Sequence, residues 1–166
     1  MSRTTVVAIA VVLLAAGCGA QGEVVNNRPA MTESQALARI AQLVDGTVSV
    51  IQPKPHLELY RPSLDSRPCS ASGEGGPEDG VVISRGYYLN GVPKEQLKEV
   101  SEKIRLYWEQ QGHVIETASE TGINIGARSR PDDFIMALFR TNENVLGVGI
   151  TSTCVLAQKT PRPSDG

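Results

Sequence analysis

Three cysteines and two histidines are the side chains through which this chain could do covalent or metal chemistry, and their positions sort them. Cys18 stands directly behind Ala15, Ala16 and Gly17, at the end of an uncharged apolar run that begins at Val6. Small residues let an extended chain enter a peptidase cleft, and the thiol that follows them can be alkylated. Cys69, Cys154, His56 and His113 are scattered through the remaining chain. None has a partner at the short local spacing that zinc sites use. A disulfide between Cys69 and Cys154 is therefore the stronger reading, and no metal site is expected.

Other candidate chemistries lack a part. Ser72 has glycine beside it, but the G-x-S-x-G elbow that would expose a nucleophile is missing. Gly73, Gly75 and Gly76 form a glycine-rich run with neither the lysine nor the following helix of a phosphate cradle. His113 could be imagined as a base beside Glu109 or Glu116, yet it begins a strand just past a helix end, where it meets the helix terminus or water. The carboxylate pairs Glu78-Asp79 and Asp132-Asp133 fall in turns and read as solvated. No catalytic residue and no cofactor are assigned.

The first eighteen residues carry an address. Arg3 and the amino terminus supply a small positive region, and the uncharged run Val6–Ala16 has the length of a signal-peptide core. Spanning a bilayer takes about twenty apolar residues, so this run is too short to be a stable span. Leu14-Ala15-Ala16-Gly17-Cys18 resembles the bacterial lipobox. The resemblance implies cleavage between Gly17 and Cys18 and attachment of a diacylglyceryl group to Cys18. One departure is Ala15, three before the cysteine, where leucine is usual. An ordinary signal peptide cut near Ala15–Gly17 is the alternative.

Lipidating Cys18 also removes the odd cysteine, leaving Cys69 and Cys154 as an even pair in oxidising surroundings. One acyl chain binds a bilayer marginally, whereas two anchor stably. The expected location is the extracytoplasmic face of the cell membrane, with the membrane itself as first partner.

Losing Arg3 with the leader takes the formal charge from −2 to −3, so no basic excess exists to hold nucleic acid. Aromatic residues make up 4% of the chain, too few for a stacking platform. Residues 18–30 are small, polar and without periodicity, and read as a tether. Thr32 and Gln35 have the spacing of a capping box. Leu37, Ile40, Leu43 and Val44 then follow at helical spacing, and Gly46 is expected to end the helix.

Thr47–Ile51 alternates and is β-branched, as strands are, and a second extended stretch covers Leu57–Arg61. Pro62–Gly80 reads as one long loop. Val81–Leu89 is a strand with Gly86 as a bulge or bend, and Pro93–Gln111 a helix with Leu97, Val100, Ile104, Tyr107 and Trp108 on its apolar stripe. Strands are expected at His113–Thr117, Ile123–Ala127, Phe134–Arg140 and Val145–Leu156. In the last, Leu146, Val148, Ile150 and Ser152 would share one side with Cys154.

The pattern predicts an α+β fold of two layers, an antiparallel sheet covered on one face by two helices. Four segments result: a leader over 1–17, a tether over 18–30, one domain over 31–158 and a fraying tail over 159–166. Anchor, cysteine-containing loop and the Thr151-Ser152-Thr153-Cys154 end resemble the small actinobacterial lipoproteins of the LppA-like kind. That resemblance implies location and fold and adds no mechanism. The expected function is a binding or scaffolding module in the cell envelope, its partner an envelope protein or a small hydrophobic ligand. A lipid carrier and a small envelope hydrolase are the alternatives.

Overall fold

The computed structural model describes residues 31–64, 66–69 and 79–158. The lipobox, Cys18, the tether, the tail, Ser72 and the glycines at 73–76 lie outside the described residues. Among the described residues no helix is long and apolar enough to cross a membrane.

Among the described residues two helices and eight antiparallel strands form an α+β fold. The order is α1 (Glu33–Ser49), β1 (His56–Leu59), β2 (Ser66–Pro68), β3 (Gly80–Asn90), α2 (Leu97–Gln110), β4 (Val114–Ala118), β5 (Ile125–Arg128), β6 (Ile135–Arg140), β7 (Leu146–Thr151) and β8 (Val155–Leu156). The sheet runs β1-β3-β7-β6-β5-β4, with β2 and β8 also paired to β3. β3 is its spine. Tyr88 stands between Glu58 of β1 and Gly147 of β7, and Val81 between Pro68 of β2 and Val155 of β8.

Alternation along the strands sends one set of side chains inward. Leu146, Val148 and Ile150 of β7, Met136 and Leu138 of β6, and Ile125 and Ala127 of β5 are buried. They join one core with Ile40, Leu43, Val44 and Val48 of α1 and Leu97, Val100, Ile104 and Trp108 of α2. On the opposite side of the sheet Gly147 leaves the room in which the Phe139 ring lies, and a β-carbon there would overlap that ring.

The first helix begins as its spacing predicts: the Thr32 hydroxyl accepts from Gln35 N–H and the Gln35 side chain accepts from Thr32 N–H. It does not stop at Gly46. Residues Thr47–Ser49 are helical, not the start of a strand. The reason is packing, since Thr47 and Val48 are fully buried and the Thr47 hydroxyl donates to Leu43 O (2.7 Å) within the helix. Burial of that face outweighs the weak β preference of its residue types. Gly46 serves another purpose, because a β-carbon there would overlap the Tyr107 hydroxyl.

Smaller differences have local causes. Gly86 pairs in register with Gly149, so it makes no bulge; it admits Ser63, whose Oγ accepts from Gly86 N–H (2.6 Å). Pro93 is followed by a 3-10 turn, Lys94–Gln96, before α2 starts at Leu97. The stretch expected as one loop after Arg61 contains a 3-10 turn at Arg61–Ser63 and strand β2. The last strand is two pieces. At Ser152 the ladder gives way, and its N–H and hydroxyl bond instead to Ile83 O (2.8 Å) and Ile83 N–H (3.0 Å). Cys154 follows in that break and is joined to Cys69, with Cα atoms 5.7 Å apart.

Candidate functional site

The groove of interest opens where α1, α2 and the turn between β5 and β6 meet. Its volume is about 320 Å³. Leu43, Trp108 and Met136 give it an apolar floor, and Arg39, His113 and Arg130 stand at its polar side.

Each rim residue is held by a local cause. Residues 129–133 form a tight turn that begins after β5, with Asp133 at φ 58° and a cis Arg130-Pro131 bond. Ser129, fully buried, ties it together: its hydroxyl donates to Asp132 Oδ1 (3.0 Å) and accepts from Phe134 N–H (3.0 Å). Asp132 then meets α1. Arg39 Nε donates to Asp132 Oδ2 (2.7 Å), and Arg39 Nη2 donates to Asp132 Oδ1 and to Arg130 O, both at 3.2 Å. This fork-on-carboxylate geometry is the strong form of an ion pair.

Only 9% of the Asp132 side chain is exposed. Burial pushes its carboxyl up, but hydrogen bonds from Arg39, from its own backbone and from Ser129, with the Arg39 charge, outweigh that and hold it below the usual range. The expectation that Asp132-Asp133 is a solvated turn pair fails here. Asp133 is the outer member, bound by the Arg130 guanidinium.

His113 sits across from this turn. Gly112, at φ +78°, ends α2 and lets His113 N–H return to Trp108 O (2.9 Å). The ring Nδ1 accepts from Arg130 N–H (3.1 Å), which puts the proton of neutral imidazole on Nε2. Partial burial first, and then the Arg39 charge, push its pKa below the ordinary histidine value, against the opposing pull of Asp132.

Beneath the rim the only tryptophan is anchored. Trp108 Nε1 donates to Thr47 Oγ1 (2.8 Å), and both residues have no exposed surface. Tyr107 and Trp108 thus belong to the core stripe and border the groove at the same time. No protein family, no curated protein and no solved structure matches this chain. The site's own chemistry carries its reading.

His113 Nδ1 faces a backbone amide, not a carboxylate, and Asp132 is clasped by Arg39 and Ser129. The pair is thus not wired as a relay that would make histidine a stronger base. Ser129, the hydroxyl of the same turn, is engaged at both its donor and acceptor sides. Among the described residues no group of three His, Cys, Asp or Glu could hold a metal ion.

Of the residues singled out by type, Cys69 and Cys154 are brought together and His113 is brought into the groove, while His56 is an exposed edge-strand residue outside its lining. Arg39 and Arg130 gave no local signal. Arg39 lies on a helix and its partner is 93 residues away.

Proposed function

We propose that the chain is a membrane-anchored, extracytoplasmic lipoprotein whose domain works as a binding module in the cell envelope, holding a small ligand in the groove beside Arg39 and His113. The observation that carries this is the contrast within one concavity. Its floor is apolar, whereas the side chains of Gln42, Tyr107 and Gln111 at its border have no hydrogen-bond partner among the described residues. A few polar groups around an apolar floor are the usual composition of small-molecule sites. The disulfide lies elsewhere, across β3, and supports the frame.

The anchor supplies the other half of the proposal. The twelve residues 19–30 can span at most about 40 Å, which keeps the groove near the bilayer surface. Two measurements test the reading. Radioactive fatty acid should label the chain and fail to label Cys18→Ser. Native mass spectrometry of the chain extracted from membranes should show a retained small molecule that is lost when Gln111→Trp fills the groove. A chain that incorporates no label, or that carries no adduct and gains none from envelope extract, would overturn the corresponding half.

A further inference from the structure

We propose that this groove, taken as the binding site argued above, selects a small molecule bearing an oxyanion, carboxylate or phosphate, on a short apolar body. The lining decides the charge. Its ionisable groups are Arg39, Arg130 and His113, together with the Tyr107 phenol, and no carboxylate is among the lining residues. Asp132 and Asp133 belong to the same turn, but each is bound by one of the two guanidiniums. The chain's acidic balance is thus absent from the wall a ligand would touch.

The donors that remain point to the same chemistry. Asp132 and Arg130 O occupy Arg39 Nε and Nη2, so Nη1 has no partner among the described residues. The Arg39 fork is held rigid on one side and uncommitted on the other, which suits a second oxyanion. His113 Nε2 likewise has no partner, while Nδ1 is held by Arg130 N–H. Asp132 orients Arg39, and it is a positioning residue.

Size and floor define the body. A volume of about 320 Å³ is at the small end of ligand sites, which run roughly 300–1,000 Å³. Leu43, Trp108 and Met136 close the floor with almost no exposed surface, which leaves room for a short apolar group against the sides and no channel for a long acyl chain.

The test uses the full chain purified in detergent. Hexanoate, hexyl phosphate and neutral hexanamide are the soluble probes, and phosphatidylglycerol vesicles the lipid arm, with phosphatidylcholine vesicles as their control. Calorimetry gives affinity, and NMR of the two histidine rings, assigned with His113→Gln, reports whether an anion has reached His113. Either soluble anion should bind saturably, raise the His113 pKa and exceed hexanamide by about tenfold in affinity, the gain expected of a charge-assisted pair. Arg39→Gln should remove that tenfold advantage of the anions over hexanamide.

Because Arg39→Gln also strips Asp132 of its partner, His113→Gln provides a second variant. It can still accept the Arg130 amide and should weaken hexyl phosphate more than hexanamide. A response confined to phosphatidylglycerol vesicles would also support the proposal and place the oxyanion on a lipid headgroup. Equal affinity for hexanoate and hexanamide would overturn anion selectivity while leaving a binding groove in place. No response to any probe would overturn the proposal outright, and the adduct measurement above judges the binding module separately.

Discussion

Replacing Thr47 by valine isolates one hydrogen bond in the core and asks what it contributes. Thr47 and Trp108 have no exposed surface, and Trp108 Nε1 donates to Thr47 Oγ1 at 2.8 Å. Valine keeps the shape and removes the acceptor. The indole N–H is then buried without a partner, which costs about 1–3 kcal/mol. Leu43 O loses the hydroxyl at 2.7 Å but, as the residue four before Thr47, keeps its place in the helical ladder. Against this, the added methyl contributes about 0.8 kcal/mol at most.

The net expectation for Thr47→Val is a loss of about 1–2 kcal/mol, or roughly 3–8 °C in Tm for a domain of this size. Urea unfolding followed by the fluorescence of the only tryptophan measures it directly. A double-mutant cycle with Trp108→Phe, read by circular dichroism, isolates the bond from the loss of ring volume. Coupling of about 1–2 kcal/mol is expected. Coupling within about 0.3 kcal/mol of zero would refute the argument that this bond ties α1 to α2.

Three further outcomes follow from the same structure. The Cys69→Ser/Cys154→Ser variant opens a loop of 85 residues and should lose about 4–5 kcal/mol on the chain-entropy account, read from urea midpoints without reductant; an unchanged midpoint would contradict it. Ser101→Ala should stabilise by about 1 kcal/mol, because its buried hydroxyl has no partner among the described residues and alanine is the better helix former; a lower Tm would count against this.

Acid should weaken the fold in two stages. His113 has a folded pKa below its unfolded value near 6.5, so its contribution is intact above about pH 6.5 and fades as pH falls through the folded pKa. His113→Gln should flatten that stage in a Tm–pH profile. Asp132, also depressed, is intact above its unfolded pKa of about 3.9 and adds a second loss below it. A profile with no difference between wild type and variant from pH 7 to about 5 would remove His113 as the cause.

Much of the frame was legible along the chain because it depends on neighbours. The Thr32–Gln35 cap, the Leu97–Trp108 stripe, the apolar run Phe134–Arg140 and the alternation of Leu146–Thr151 are local patterns, and each corresponds to an observed element. The two-layer α+β arrangement follows from the need to cover their apolar faces. The Cys69–Cys154 pairing was readable by parity once the lipobox resemblance sets Cys18 aside.

The rest was decided by contacts between distant residues. Thr47–Ser49 carries a strand-like pattern and is helix because Trp108, 61 residues away, supplies a donor and a packing surface. Gly46 and Gly86 look like a stop and a bulge, but they admit Tyr107 and Ser63, whose positions no local pattern discloses. Arg39 and Asp132 are unremarkable on their own helix and turn, and only the meeting of those elements makes them the held edge of a groove. Spacing along a chain reports which face an element buries; it is silent on what waits across the gap.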